Sequence, residues 1–158
     1  MHDFSKPYLT KSLWNGKPEL IARTLFVGCS DGRPSAAAPE FLSEAADAGR
    51  PSPLMVPGGP GALVSPHLTS ATEEWMWGWI SLLHSTNNYN RVIAVAHHDC
   101  KYYCNAYPEA TPEKRHEIQL VELSGFVRKV SGLILGARIE TFFAEPAPCG
   151  RTQYRRIQ

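Results

Sequence analysis

Two short apolar runs in this chain each end in residues that bind soft metal ions. The run LFVG leads into CSDGR at residues 29–33, and the run VIAVA leads into HHDC at residues 97–100. Continuous apolar runs of this length are typical of strands buried on both faces of a parallel sheet. Ligands gather beyond the carboxyl ends of such strands, where the winding reverses. If the two strands are neighbours, Cys29, His97 and Cys100 converge on one zinc ion and leave its fourth position open.

The rest of the chain alternates strand and helix patterns. Predicted strands fall at residues 23–28, 54–56, 91–97 and 137–144, and predicted helices fall at residues 36–49, 70–85 and 112–131. Alternation of this kind is the pattern of a parallel sheet covered by helices. The sequence therefore predicts a single-domain α/β fold with a mostly parallel central sheet flanked by helices.

With 158 residues the chain has the size of one domain with its own core. Residues 1–22 are aromatic but broken by proline and glycine, which predicts an arm packed on this subunit or on a neighbour. Residues 23–145 are predicted to form the zinc-binding α/β domain, and residues 146–158 a C-terminal tail.

Composition excludes several classes of partner. Sixteen basic and 15 acidic residues give a formal charge of +1, so no global field attracts nucleic acid or an acidic membrane. No apolar run approaches the ~20 residues that span a bilayer. The amino terminus lacks the pattern of an export signal, which predicts a cytoplasmic protein whose four cysteines serve metal binding or chemistry rather than disulfides.

Two further segments are candidates for the surroundings of the site. The loop PGGPGA at residues 57–62 is either a plain turn or a ligand-contacting loop, with Gly58, Gly59 and Gly61 next to the substrate. Residues 101–114 are polar, aromatic and broken by proline, which predicts a loop that covers the site.

The helix predicted at residues 70–85 is dense in tryptophan. Thr69 or Ser70 is predicted to cap its start, and Ser70 and Glu73 have the spacing of a capping box. Trp75, Trp77 and Trp79 leave little polar face, so the helix is predicted to be buried on most sides. Packing in the core of one subunit and packing at a subunit interface are equally compatible with this pattern.

Asp31 and Arg33 follow Cys29 closely and form a candidate pair. The carboxylate can bind the metal directly, or it can turn away and pair with Arg33, and a bidentate bond to the guanidinium favours the second arrangement. Held in this way, Asp31 would control the fourth zinc position and accept a hydrogen bond from a hydroxide there. The plain alternatives are a surface ion pair for these two residues, a buried apolar thiol for Cys29 and a core histidine for His97.

The motifs CSDGR and HHDC resemble the two signature motifs of the β-class carbonic anhydrases, which usually read CSDSR and HTDCG. The resemblance implies a parallel α/β fold whose basic unit is a homodimer. It matches Cys29, His97 and Cys100 to the ligands of Zn²⁺, and Asp31 and Arg33 to the catalytic dyad of that family.

The activity implied by the resemblance is the reversible hydration of carbon dioxide to bicarbonate. Zinc lowers the pKa of a bound water towards neutrality, so that zinc-bound hydroxide attacks the carbon of the substrate. A proton must then reach bulk water, and His98 or His67 is a candidate for its transfer.

Departures from the family pattern leave other functions open. Lys101 replaces the glycine that usually follows the second cysteine, and PGGPG replaces a polar loop, so carbonyl sulfide or carbon disulfide is an alternative substrate for the same zinc site. A non-catalytic, zinc-stabilised binding protein is a second alternative, in which Asp31 or Cys104 closes the fourth position. Thiol redox chemistry by Cys100 and Cys104 ranks last, because the C-x-x-C spacing is absent.

Overall fold

Five strands form one sheet in a computed structural model of the chain, which describes residues 21–48 and 50–157. The strand order is β2-β1-β3-β4-β5, in which the first four strands run parallel and β5 is antiparallel to β4. The strands are β1 (Ile21–Cys29), β2 (Arg50–Val56), β3 (Arg91–His97), β4 (Arg138–Pro146) and β5 (Thr152–Arg156). The predicted fold class is confirmed.

Helices cover both faces of the sheet. They are α1 (Gly32–Glu40), which continues into a π-helical turn (Phe41–Ala45), α2 (Gly59–Ala62), α3 (Ser70–Asn87), α4 (Lys101–Ala106) and α5 (Pro112–Leu133). Side-chain oxygens of Asp31, Thr69 and Thr111 accept backbone N–H bonds at the starts of α1, α3 and α5. These caps satisfy donors that have no partner within the helix.

The winding of the sheet reverses between β1 and β3. The chain leaves β1 for β2 on one side, then crosses back over β1 and returns as β3 on its other side. Val27 pairs with Ala94 in this parallel register. The carboxyl ends of the two apolar runs are therefore neighbours, as the sequence predicted.

Side chains of β1 and β3 are buried on both faces of the sheet. Val27 and Ala94 pack in one core with residues of α3 and α5. Phe26 and Ile93 pack in a second core with residues of α1 and the π-helical turn. Burial on both sides explains why these strands read as unbroken apolar runs instead of alternating ones.

Two segments predicted as loops contain short helices. Part of the segment 101–114 forms α4, which is anchored by the buried side chain of Tyr103. Part of PGGPGA forms α2, whose residues are all buried and whose Pro60 lies in the first turn, where proline is tolerated. Tertiary packing overrides the weak helix propensity of glycine here.

A fifth strand lies in the segment that was expected to be a tail. Strand β5 pairs with β4 from Phe142↔Arg156 to Pro146↔Thr152. The ring of Tyr154 stacks on Phe41 with 4.0 Å between ring centroids. Strand β5 packs one aromatic side chain against the rest of the protein and carries charged residues elsewhere, as is typical of an edge strand. Such a composition gives only a weak strand pattern in the sequence.

Helix α3 is present where it was predicted, with one of its two predicted caps, but differs in its burial. Thr69, rather than Ser70, is the N-cap, and its side chain accepts a hydrogen bond from the Thr72 N–H at 3.2 Å. The prediction of burial on most sides is wrong for the single chain, since Trp75 is 62% exposed and Trp79 is 45% exposed.

The predicted arm at residues 1–22 lies almost wholly outside the described residues, and the division into arm, domain and tail stays a prediction. Within the described ranges, no helix has the length and apolar character needed to cross a bilayer.

Candidate metal centre

Three buried side chains converge at the switch point of the sheet. Cys29 is the last residue of β1, His97 is the last residue of β3, and Cys100 is the N-cap of α4. Their potential ligand atoms all lie within 4.8 Å of one another. The Sγ atoms of the two cysteines are 3.8 Å apart. The structure thus brings together the three residues that the sequence predicted as ligands.

The orientation of His97 suits a metal ligand. Its Nδ1 lies 2.8 Å from the backbone carbonyl oxygen of His98. Because a carbonyl oxygen only accepts, Nδ1 carries the proton and Nε2 keeps its lone pair. Nε2 is buried and has no hydrogen-bond partner among the described residues, which is costly for a polar atom. A metal ion held by Nε2 would remove this cost, and the hydrogen bond from Nδ1 to the His98 carbonyl oxygen is the contact that usually orients such a histidine.

The two thiols share a hydrogen bond that shifts their pKa values in opposite directions. The hydrogen bond from the Cys100 thiol lowers the pKa of Cys29 to about 4, assisted by His97 and by the Asp31 N–H and opposed by burial. The same hydrogen bond and burial raise the pKa of Cys100, which remains the donor. The lowered pKa favours the thiolate form of Cys29, and a divalent cation would displace the proton of Cys100.

Asp31 turns towards Arg33 and away from the ligands. Two Arg33 nitrogens donate to its carboxylate, Nε to Oδ1 at 3.0 Å and Nη2 to Oδ2 at 2.7 Å. The Arg33 backbone N–H also donates to Oδ1. The guanidinium holds the pKa of Asp31 well below its usual range. Of the two arrangements that the sequence left open, the structure has the paired one.

Asp99 joins this pair, a contact that the sequence analysis did not assign. Arg33 Nη2 donates to the Asp99 backbone oxygen at 2.9 Å, and Nη1 lies 3.4 Å from Asp99 Oδ2. Asp99 has a positive φ of 52°, which turns its carbonyl towards Arg33. One guanidinium thus ties the loop after β1 to the loop after β3. Cys104 Sγ lies 3.8 Å from Asp99 Oδ1, and Cys104 is not a member of the ligand group within the described part of the chain.

A cavity of about 550 Å³ opens beside the two cysteines. Asp31 and His67 are among its lining residues. His98 lines another cavity, of about 110 Å³, to which Cys100 also contributes. Of the two histidines considered for proton transfer, His67 shares its cavity with Cys29, Cys100 and Asp31. The other lining residues include Gly58, Lys101, Tyr102 and Asn105.

The three glycines predicted at the substrate have different surroundings. Gly58 lines the cavity with φ of +83°, and a Cβ there would collide with the ring of Tyr102. Gly59 instead lies against backbone atoms of Val95 and Cys29, and Gly61 lies against the Tyr103 hydroxyl. Only Gly58 of the three is among the residues lining this cavity.

The fold and the site define an α/β protein with three candidate ligands for a soft metal ion at the switch point of its sheet. Solved structures similar to it include carbonic anhydrases. The chain is 16% identical to a carbonic anhydrase from Glaciozyma antarctica, with a TM-score of 0.52 over 87% of this chain and 82% of that one. It is 11% identical to the β-carbonic anhydrase CafD of Aspergillus fumigatus, with a TM-score of 0.52 over 94% of this chain and 95% of that one.

These similarities establish a β-carbonic anhydrase fold. A third structure, the β-carbonic anhydrase CcaA, is 12% identical with a TM-score of 0.51 over 87% of this chain and 78% of that one. No protein-family profile and no curated protein sequence matches the chain. At such low identity, the activity has to be argued from the site itself.

Proposed function

We propose that the protein is a zinc enzyme that hydrates carbon dioxide reversibly to bicarbonate. The observation that carries the proposal is the group of Cys29, His97 and Cys100 beside a carboxylate, Asp31, that Arg33 holds away from it. Three protein donors with a fourth position left to solvent are typical of catalytic zinc, whereas structural zinc has four protein ligands.

The donors suit zinc. Two thiolates and one imidazole are soft to intermediate ligands, which favour Zn²⁺ over the oxygen-preferring Mg²⁺ and Ca²⁺. The two thiolates also neutralise the charge of a divalent ion in a buried position. When bound, zinc would lower the pKa of a water molecule and so provide a nucleophile at neutral pH.

Asp31 and Arg33 would act on the nucleophile. An ionised carboxylate accepts hydrogen bonds only, so Asp31 would orient a group that donates to it. Arg33 keeps this carboxylate ionised and prevents it from becoming a ligand, and Asp99 fixes Arg33 from the other side. His67 lines the same cavity and would pass protons to bulk water, because an imidazole can both accept and donate a proton.

A purely structural zinc site is the alternative from another class. It needs a fourth protein ligand, and the two candidates were Asp31 and Cys104. Within the described residues, both side chains lie outside the ligand group, Asp31 paired with Arg33 and Cys104 beside Asp99. Their positions favour the catalytic proposal.

The test is a pair of rates on one zinc-loaded preparation. Stopped-flow measurement with a pH indicator is expected to show carbon dioxide hydration that disappears in His97→Ala. Consumption of carbonyl sulfide is measured on the same protein. Hydrolysis of carbonyl sulfide without hydration of carbon dioxide would reverse the assignment of the substrate, and the absence of both rates would contradict catalysis.

We also infer a homodimer or a higher homo-oligomer. The exposed face of α3 carries Trp75, Trp79 and Leu82, all large apolar side chains open to solvent in the single chain. Contiguous exposed apolar surface of this kind marks interfaces. The arm at residues 1–22 and a cytoplasmic location stay predictions from the sequence.

A further inference from the structure

A buried carboxylate lies next to the metal centre without being part of it. Glu122 on α5 is 8% exposed, and it accepts hydrogen bonds from the hydroxyls of Tyr103 at 2.7 Å and Tyr107 at 2.8 Å. We call these three residues the Glu122 cluster. Burial, and then the contact with Glu122, raises the pKa of both tyrosines, so their hydroxyls remain donors at neutral pH.

Both tyrosines belong to the element that carries Cys100. Helix α4 begins directly after Cys100, Tyr103 is its third residue, and Tyr107 is its C-cap. Tyr103 packs in one buried cluster with Cys29 and Cys100. Tyr103 therefore lies against the candidate ligands while its hydroxyl bonds to Glu122. A rotation of α4 would move the sulfur and break the bond to Glu122 together.

Helix α4 needs such an anchor. It has only six residues, and its N-cap makes no side-chain hydrogen bond to the helix. Helices of this length have no independent stability in water. Its position must therefore come from tertiary contacts, and the two bonds to Glu122 hold it at its middle and at its end.

Helix α2 packs against the hydrogen bond between Tyr103 and Glu122. Gly61 lies so close to the Tyr103 hydroxyl that a Cβ at this position would overlap it, and the same Cβ would lie 3.2 Å from Cβ of Glu122. The backbone of α2 thus packs against both partners of the hydrogen bond. A buried hydrogen bond shielded in this way is strong, and losing one partner leaves the other unsatisfied.

We propose that Glu122 is a positioning residue of the metal centre, which holds α4 through Tyr103 and Tyr107 so that Cys100 is fixed for metal binding. The proposal rests on the zinc site of the proposed function. The Glu122 cluster itself touches neither the metal nor the substrate.

The test measures metal affinity in the full-length protein. Zn²⁺ binding is determined by competition with a chromophoric chelator for the wild type, Tyr103→Phe and Glu122→Gln. Outer-shell substitutions typically weaken metal binding about 10- to 100-fold, and we expect both variants to fall in this range. Co²⁺ is then bound in place of zinc, and its thiolate charge-transfer band should lose intensity because the sulfur of Cys100 is no longer held.

Tyr89→Phe is the matched control. Tyr89 is 2% exposed, and its hydroxyl accepts a hydrogen bond from Asn87 Nδ2 at 3.2 Å, just before β3 and far from α4. The control loses a buried hydroxyl in the same way as Tyr103→Phe, but its zinc affinity should stay within about 2-fold of the wild type. The double variant Tyr103→Phe/Glu122→Gln should bind zinc no more weakly than Glu122→Gln alone, because both changes break one interaction.

Zinc affinities of Tyr103→Phe and Glu122→Gln equal to that of the control would overturn the proposal, even if all three variants were destabilised. A wild type that binds zinc but does not hydrate carbon dioxide would contradict the proposed function alone, since the affinities still decide the role of Glu122. A wild type that takes up no zinc would overturn both.

Discussion

Asp31 combines three contacts in one side chain. It caps α1 through the Arg33 N–H, it holds the Arg33 guanidinium with both oxygens, and its own N–H lies 3.4 Å from Cys29 Sγ. A single residue thus couples the start of a helix, an ion pair and a ligand sulfur. Its negative charge is the part that the proposed chemistry needs.

Asp31→Asn removes the negative charge of the side chain but keeps an oxygen that can cap α1. Asparagine is as good an N-cap as aspartate, so the fold and the zinc content should not change. Removing a positioned acid or base group typically costs at least about 100-fold in rate, and we expect a loss of this size in carbon dioxide hydration. The rate is measured by stopped flow and the zinc by atomic emission. Asp47→Asn, at an exposed site outside the metal centre, is the control, and an Asp31→Asn enzyme as active as this control would contradict the assigned role.

The candidate metal ligands could be predicted from the sequence because they follow apolar strands directly. Cys29 and His97 each end such a strand, and Cys100 comes three residues later. The contact of Arg33 with the Asp99 backbone could not be predicted, since a carbonyl oxygen is present at every residue and only the fold brings this one close. Glu122 was likewise hidden, because it reads as one more polar residue of a helix.

The helices α2 and α4 are in close contact where Gly61 lies against the Tyr103 hydroxyl. Gly61→Ala should destabilise the protein by about 1–3 kcal/mol, because the added methyl group overlaps the Tyr103 hydroxyl in a closely packed region. Urea unfolding gives the free energy of unfolding. Gly78→Ala is the matched control in α3, where a Cβ would meet nothing within 4 Å, and it should be stabilising by about 0.5–1 kcal/mol. Equal effects of the two substitutions would refute the close contact.

Strand β5 fastens α1 to the sheet. The Tyr154 hydroxyl donates to the Pro34 carbonyl oxygen at 2.8 Å, and burial raises the pKa of Tyr154 from 10.0 to about 12. Because the folded state binds this proton more tightly, the contribution of Tyr154 is full below pH 10 and decreases as the pH rises towards 12.

Tyr154→Phe should therefore lower the free energy of unfolding by about 0.5–1.5 kcal/mol at pH 7. The difference between wild type and variant should be smaller at pH 11 than at pH 7, as measured by urea unfolding at both pH values. A stability difference between wild type and variant that grows with pH would contradict a raised pKa of Tyr154 in the folded state.

Elements were predicted well where periodicity was strong and poorly where packing decides. The two central strands are clear apolar runs, and the helices α3 and α5 are long enough for their composition to indicate a helix even though the spacing in α5 is only roughly helical. Helix α4 and strand β5 have six and five residues, and each is held by one or two aromatic side chains whose partners lie far away in sequence. Only tertiary contacts make these short segments regular.

For the whole molecule, the exposed tryptophans of α3 are the feature that a single chain does not explain. The rings of Trp75 and Trp79 contact each other edge to face, with 6.0 Å between centroids. The sequence predicted burial here because it cannot distinguish a core inside one chain from a surface covered by a second copy.

Replacing both tryptophans, Trp75→Ser/Trp79→Ser, should shift the protein towards monomer without unfolding it, because both rings are largely exposed in the single chain. Sedimentation velocity measures the mass. Leu135→Ser, at a residue that is 82% exposed between α5 and β4, serves as the control and should keep the oligomer. An unchanged mass in the tryptophan variant would show that α3 does not form the interface.

X-ray absorption at the zinc edge identifies the atoms that bind the metal, on which the proposed catalysis depends. We expect a zinc ion with two sulfur neighbours at about 2.3 Å and two lighter neighbours at about 2.0–2.1 Å, one from His97 and one exchangeable. These four neighbours should be the same in Asp31→Asn and Cys104→Ser. A third sulfur that disappears in Cys104→Ser, or a light neighbour that is lost in Asp31→Asn, would instead mean that the protein closes the fourth position and that the centre is not a catalytic one.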